Sequence, residues 1–233
     1  MRRALRILAI ALITAGLVIL ADVAATLAWK EPLSMIYGSV QQDRAADQLD
    51  RLERSFPSPA DVRASERAGG IMTKARLLAE RFAAALRAVD GEGIGRIEIP
   101  AIGIDVVLVE GTDTDSLQNG PGHYPGTALP GEGRTIGIAG HRTTYGAPFR
   151  HIDSIDVGDE ILVEMPYATF TYEVEGTDIV EPDDVEIVDD VGHERVVLTA
   201  CHPLYSAAQR YAAFAELTGV TLFSAWQRRW PAP

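Results

Sequence analysis

Residues 196–210 decide the fold, and they read VVLTACHPLYSAAQR. The run is mainly apolar up to Cys201, the single cysteine of the chain, and Pro203 follows it closely. An apolar run rich in β-branched residues predicts a strand, and a proline, which cannot donate to a ladder, predicts its end. Another apolar run begins after Arg210, so the stretch predicts two strands joined by a turn. If these strands are neighbours, the Arg210 guanidinium can face the Cys201 thiol.

The strand pattern predicts which face of its strand the Cys201 side chain occupies. Successive side chains in a strand point to opposite faces, so Thr199 and Cys201 share one face while Ala200 lies on the other. His202 then points away from Cys201, and this adjacent pair is poorly arranged for proton transfer. We therefore predict that His202 is a hinge or rim residue.

His141 is the better candidate for a histidine that works with Cys201. It follows the apolar strand Thr135–Ala139 and Gly140, where a glycine lets the backbone turn or another chain approach closely. A thiol acyl-transfer site needs three groups. The thiol attacks the substrate, the histidine transfers protons, and the arginine stabilises the developing oxyanion. Arg210 suits the last role because a guanidinium stays charged at every relevant pH.

The remaining histidines carry weaker signals. His123 lies in a loop rich in glycine and proline, which favours packing at the rim of the domain. His151 and His193 stand beside acidic residues and are predicted to lie on the surface. The single cysteine excludes an internal disulfide, and its spacing from the histidines is not that of a zinc site. We predict neither a metal ion nor a cofactor.

The rest of the domain shows a period of two and short apolar runs, punctuated by Gly, Pro and Asp. The predicted strands are Arg96–Ile99, Val106–Val109, Thr135–Ala139, Glu160–Glu164, Thr169–Val174, Arg195–Cys201 and Tyr211–Leu217. A short helix is predicted at Phe149–Ile155 and a helical turn at Thr114–Asn119. No long amphipathic helices alternate with the strands, so the pattern favours a closed antiparallel β-barrel or a sandwich over a parallel α/β sheet.

The amino-terminal segment predicts a membrane anchor. Three arginines precede an apolar run from Ile7 to Trp29 that is interrupted by Asp22, and a spanning helix needs about 20 residues. Positive charge before the run predicts a single-pass protein with the amino terminus inside and the remainder outside. A cleaved signal peptide is the alternative, because the first part of the run has the length of a signal-peptide core.

Apolar residues at helical spacing follow the anchor, from Leu49 to Leu86, with breaks at Ser55–Pro59 and Gly69-Gly70. We predict two helices that form a solvated spacer, with a lid over the active site as the alternative. The predicted division is an anchor at 1–30, a helical stalk or linker at 31–92, a catalytic barrel at 93–222 and a tail at 223–233. Tryptophans and arginines in the tail predict packing on the barrel or contact with the membrane surface.

The charge of the chain excludes one class of partner. A formal net charge of −12 and a sequence pI near 4.8 would repel nucleic-acid phosphates.

The motifs Ala139-Gly140-His141-Arg142 and Leu198-Thr199-Ala200-Cys201, followed by Arg210, resemble the sortase family of cysteine transpeptidases. The stretches at 124–131 and 140–149 look most like class E sortases of Gram-positive, actinobacterial type. The resemblance covers roughly residues 94–218. It implies an eight-stranded β-barrel whose metal dependence differs between classes.

The resemblance also implies an activity. Such enzymes cleave after the threonine of a sorting signal, LAXTG-like in class E and LPXTG in other classes, near the carboxyl terminus of a secreted protein. The acyl group then passes to an amine of a cell-wall precursor or to a pilin lysine. Cys201 would be the nucleophile, His141 the general acid and base, and Arg210 the oxyanion partner, with the thiol and imidazole mostly neutral at rest. Thr199, Tyr124 and Tyr145 would line the substrate groove.

Two other functions remain open at this stage. A cysteine hydrolase would form the same acyl-enzyme but release it to water, and a binding domain on the same barrel would carry out no chemistry. Ala200 and His202 flank the cysteine where many sortases have threonines, which affects the local polarity and the substrate preference.

Overall fold

The computed structural model describes residues 2–28, 32–86 and 90–222. Its centre is a closed barrel in which the strands follow the order β1-β2-β3-β4-β7-β8-β6-β5. The strands are β1 Gly93–Ile99, β2 Ile104–Glu110, β3 Gly122–His123, β4 Thr135–Gly140, β5 Glu160–Met165, β6 Ala168–Val180, β7 Arg195–His202 and β8 Gln209–Leu222. The eight-stranded barrel implied by the resemblance is confirmed.

The direction of two strand pairs corrects the expectation of an antiparallel barrel. β4 pairs with β7 in parallel, from Thr135 opposite Arg195 to Gly140 opposite Ala200, and β2 pairs with β3 in parallel. The chain between β4 and β7 contains the β5–β6 hairpin. Because β7 is parallel to β4, this connection brings the chain back to the end of the barrel at which β4 began. The carboxyl ends of β4 and β7 therefore meet at one rim.

The boundaries of several elements differ from the prediction. β6 and β8 are longer than expected because they stay paired with each other as far as Val180 opposite Arg210. β3 was not predicted, since two residues in a Gly-Pro loop carry no periodic signal. The predicted helix at Phe149–Ile155 is a 3-10 helix at Ile152–Ser154, and the turn at Thr114–Asn119 contains a short helix, Thr114–Leu117.

The barrel interior is formed by side chains that alternate along each strand. On β4 and β7 these include Ile136, Ile138, Val196 and Leu198, all fully buried. Burying one aliphatic side chain of this size contributes roughly 1.5–3 kcal/mol. The opposite faces of β4 and β7 point out of the barrel, and they carry the residues of interest.

Four helices precede the barrel: α1 Arg2–Ala28, α2 Pro32–Ser55, α3 Pro59–Glu66 and α4 Ile71–Ala85. The chain breaks at both predicted points, although three helices rather than two follow α1. Ser58 caps α3 in a capping box with Asp61, and Pro59 follows it at the first helical position, where proline is well tolerated. Trp29, Lys30 and the tail 223–233 lie outside the described residues, so their roles stay predictions.

The helices after α1 do not form a solvated spacer. Phe82 of α4 is fully buried against Phe56, with ring centroids 5.1 Å apart, and both belong to the barrel core. On α2, the Gln42 amide brackets Val107 of β2: its Oε1 accepts from the Val107 N–H at 2.8 Å and its Nε2 donates to the Val107 carbonyl at 3.1 Å. A fully solvated spacer does not fit this part of the region, because Leu49, Phe56, Leu78 and Phe82 are buried in clusters that include barrel residues.

Candidate active site

Three neighbouring strands bring the predicted reactive residues together. β4 and β7 are paired in parallel up to Gly140 and Ala200, so His141, directly after β4, comes beside Cys201 of β7. On the other side, β7 pairs with β8 so that Cys201 lies opposite Arg210. The thiol thus has the histidine on one neighbouring strand and the arginine on the other.

The outer face of β7 forms the floor of this site. Ala200 belongs to the core, so Thr199 and Cys201 face outward, and the free Cys201 thiol is half-buried. The Tyr124 hydroxyl hydrogen-bonds Thr199 Oγ1 at 2.8 Å. Gly137 makes room for this tyrosine, because a Cβ there would lie 2.7 Å from Tyr124 Cδ2. Two of the predicted groove residues therefore meet on the face that carries Cys201.

His141 sits in partly apolar surroundings. Its Nε2 is buried and has no hydrogen-bond partner within the part of the chain that the structure describes. Burial lowers the pKa of the imidazole below its ordinary value, because desolvation disfavours the cation. The ring lies beside Tyr145, the third predicted groove residue, with centroids 5.2 Å apart. A neutral imidazole with a free nitrogen can take up or deliver a proton.

Arg210 is oriented by the turn between β7 and β8. Its Nη1 donates to the carbonyls of Ala207 and Gln209, both at 3.0 Å. Among residues 2–28, 32–86 and 90–222, no carboxylate forms an ion pair with it. The guanidinium therefore retains its charge and further donors for an anion that forms next to Cys201.

Arg142 is the residue of this site to which the sequence assigned no role. It is only 3% exposed and pairs with Asp153 at 2.6 Å. Its Nη1 also donates to the Cys201 carbonyl at 3.4 Å and to His202 Nδ1 at 3.3 Å. The guanidinium thus joins the residue after His141 to the backbone of Cys201. The available signal was its position directly after His141, three residues beyond the predicted apolar strand.

Three histidines lie away from this chemistry, whereas His202 adjoins Cys201 and contacts Arg142. His123 is buried, with Nδ1 2.9 Å from Glu110 Oε2 and Nε2 3.0 Å from the Ala128 carbonyl, so it ties a loop to the barrel rather than packing at the rim. His151 and His193 are exposed, as predicted. Across the described ranges, no three His, Cys, Asp or Glu side chains form a group that could hold a metal ion.

The family model for the Sortase domain matches residues 97–218, just over half of the chain. The chain belongs to the sortase family. Sortase D of Bacillus subtilis is 37% identical over 131 residues, which are 54% of this chain and 64% of that protein. Sortase SrtE2 of Streptomyces coelicolor is 30% identical over 236 residues, covering 92% of this sortase and 82% of its relative. The matched part therefore spans less than two thirds of the first relative and most of the second.

Solved structures agree with this assignment. The structure of sortase E1 from Streptomyces coelicolor, with a tripeptide in its active site, covers 58% of this chain and 93% of that one. It has a TM-score of 0.55 and 26% sequence identity. The predicted resemblance to sortases, with class E relatives, is confirmed. Sortase D of Bacillus subtilis is a further relative.

Proposed function

We propose that this sortase is a membrane-anchored cysteine transpeptidase, and that Cys201, His141 and Arg210 perform its chemistry. The observation that carries the proposal is the arrangement of these residues at the ends of β4, β7 and β8, which are adjacent in the barrel. A nucleophile, a proton carrier and a fixed cation are the groups that acyl transfer needs.

In the first half-reaction, the Cys201 sulfur attacks the carbonyl carbon of the threonine in the sorting signal. A C–S bond forms and the carbonyl oxygen becomes an oxyanion, which Arg210 stabilises. The C–N bond to glycine then breaks, and the His141 imidazolium gives its proton to the leaving amine. The product is a thioester on Cys201 and a free peptide that begins with glycine.

In the second half-reaction, an amine attacks the thioester carbonyl. Neutral His141 takes the proton from the attacking nitrogen, and the C–S bond breaks to release the Cys201 thiolate. The imidazolium then returns this proton to the sulfur, which restores the thiol and neutral His141. The low pKa of His141 leaves most of the imidazole ready to act as this base near neutral pH. The same low pKa makes the thiolate–imidazolium pair that begins the first step a minority form, so the enzyme is expected to be slow.

The substrate is a secreted protein with an LAXTG-like or LPXTG-like signal near its carboxyl terminus. Support comes from the class E relatives and from the tripeptide that occupies the active site of sortase E1. We assign Tyr124 and Thr199 to the groove next to Cys201, and Tyr145 to its His141 side. The acceptor is an amine of the cell wall or of a pilin, and the chain works outside the cell, with its amino terminus inside.

The membrane part of this proposal rests on α1. Residues Arg3–Ala21 have a mean hydropathy of 2.5, which is sufficient for a membrane span by length and composition. We propose that α1 stays attached as a single-pass anchor.

The test uses the full chain in detergent with LAXTG and LPXTG peptides, with and without triglycine, and mass spectrometry of the products. A ligated product that disappears in Cys201→Ala supports the transpeptidase and ranks the two signals. Cleavage to a free threonine carboxylate, with no ligation for any amine, would instead identify a hydrolase. Absence of both products for both peptides would favour a binding domain.

A further inference from the structure

Although the Tyr37 ring lies against Tyr145 of the barrel domain, the first two turns of α2 carry apolar side chains that are largely exposed. These are Met35, Ile36, Tyr37 and Val40, and Ile36 is 63% exposed. The opposite side of the same turns is occupied, because Gly38 is buried and Gln42 bonds to β2. Neighbouring apolar side chains that stay exposed usually mark a surface with a partner.

The remainder of the exposed side of α2 has a different character. After Val40 it carries charged residues, namely Asp43, Arg44, Asp47, Asp50 and Arg51, all exposed. The apolar surface is therefore confined to the end of α2 that follows α1. A helix used as a dimer interface or in a protein groove would continue its apolar stripe over more turns, whereas one that leaves an apolar medium becomes polar along its length.

Connectivity places this surface near the end of the apolar helix α1. Only residues 29–31 separate Ala28 from Pro32, and such a connection can reach at most about 14 Å. If α1 spans the bilayer, the first turns of α2 must begin within or just outside the headgroup region. Exposed isoleucine, methionine, tyrosine and valine side chains at that depth gain contact with the lipid interface.

We propose that Met35, Ile36, Tyr37 and Val40 form a membrane-contact surface that inserts into the outer lipid interface. This inference rests on the proposed function, in which α1 is a membrane anchor. It adds the position of the barrel relative to the bilayer. The occupant is the bilayer itself, because the apolar residues occur only beside the membrane helix and give way to charges within one further turn.

The same two turns also hold the loop that follows His141. The Tyr145 N–H donates to Ser34 Oγ at 3.2 Å, and the Tyr37 and Tyr145 rings lie 5.8 Å apart. Tyr145 has a left-handed φ of 51°, which is unusual for a tyrosine, and its ring touches His141. Membrane contact by α2 therefore places the His141 end of the barrel towards the bilayer.

The experiment measures depth and does not depend on activity. The full chain with Cys201→Ser, which removes the only cysteine, receives one new cysteine by Ile36→Cys and a bimane label. It is reconstituted in phosphatidylcholine vesicles that contain lipid with a nitroxide on its headgroup. Matched labels are placed by Arg51→Cys, on the charged part of the same helix, and by Val157→Cys, an apolar position on the barrel that is 71% exposed.

We expect the label at residue 36 to lose most of its fluorescence to the headgroup nitroxide, while those at 51 and 157 keep theirs. Equal fluorescence at 36 and 157, in a chain that carbonate does not extract, would overturn the membrane-contact surface and leave the anchor intact. Absence of quenching at residue 36, together with disulfide-linked dimers when the unlabelled Ile36→Cys chain is oxidised with copper phenanthroline, would assign the surface to a second copy and overturn the proposal. Extraction by carbonate would overturn both the anchor and the surface.

Discussion

At the scale of the residue, the surroundings of His141 set its proton affinity. Its ring is half-buried beside Tyr145, and within the described residues no carboxylate pairs with it to offset the lost hydration. The folded pKa lies below that of the unfolded chain, so this histidine stabilises the fold fully above its unfolded pKa of about 6.5. The contribution is lost as the pH falls through the lowered folded pKa.

Tyr145→Ala should raise the pKa of His141 towards its ordinary value, because removal of the neighbouring ring lets water reach the imidazole. NMR titration of the His141 ring checks the shift, and the acid limb of the pH–rate profile should move to higher pH with it. Tyr145→Phe is the matched control, since it keeps the ring. An unchanged His141 titration in Tyr145→Ala would mean that another group desolvates the imidazole.

Arg142→Met should lower kcat with little effect on KM, because the guanidinium links Cys201 and His202 to the segment after His141. A misplacement of about 1 Å can cost roughly 10²-fold in rate. Arg142→Lys should restore part of kcat, since an ammonium can still reach one acceptor. Full activity of Arg142→Met, with an unchanged thermal midpoint, would exclude this positioning role.

The sequence indicates the three residues that we propose to be reactive, but it does not indicate the contacts that position them. His141, Cys201 and Arg210 each adjoin an apolar strand, and this local signal is visible without a structure. The contacts of Arg142 and Tyr145 depend on how the loop at 142–150 folds back on the barrel. That path is set by tertiary packing, and neither residue has a periodic pattern that would reveal it.

At the scale of the element, the pairing of β4 with β7 creates the site. Gly137 lies on the outer face of β4, and its missing side chain lets the Tyr124 ring settle over the strand and reach Thr199. The absence of a side chain at Gly137 of β4 thus shapes the surface of β7 beside Cys201, which we propose to be the substrate groove.

Gly137→Ala should raise KM for the sorting-signal peptide, because the new methyl group would displace Tyr124 and break its bond to Thr199. Alkylation of Cys201 by a small reagent such as iodoacetamide should proceed at the wild-type rate. Gly176→Ala is the control, as a Cβ at this strand glycine meets nothing within 4 Å. Wild-type KM for Gly137→Ala would show that Tyr124 does not shape the groove.

The strand order of the barrel was not predictable from the chain alone. Alternation in β4 and β7 indicates which residues face the core, but it carries no information on whether neighbouring strands run parallel. The direction follows from where the β5–β6 hairpin lies, which is a long-range property. β3 was not predicted because a strand of two residues shows no periodic pattern.

At the scale of the whole molecule, the helices and the barrel share one core. Leu78 and Phe82 had the helical spacing of an apolar face, which indicates a buried partner without saying which one. The structure places that partner on the barrel, where Phe82 also lies 5.4 Å from the Tyr167 ring. The domain division made from the sequence stays a proposal, and this shared core argues against treating 31–92 as a separate linker.

Phe82→Ala should lower the free energy of unfolding by about 3–5 kcal/mol, as is typical of a phenylalanine removed from a packed core. Chemical denaturation of the full chain in detergent, followed by tyrosine absorbance, measures the change. Ala83→Ser on the exposed side of α4 is the control. Equal stability of Phe82→Ala and the wild type would contradict a shared core and restore the spacer.

The most direct test of the central claim is the intact mass of the full chain after brief incubation with a sorting-signal peptide and no amine. If Cys201 is the nucleophile, the chain gains the mass of the peptide acyl group up to its threonine. The adduct lies on Cys201, is removed by hydroxylamine and is absent from Cys201→Ala. An adduct on another residue, or peptide cleavage that continues in Cys201→Ala, would contradict this role of Cys201.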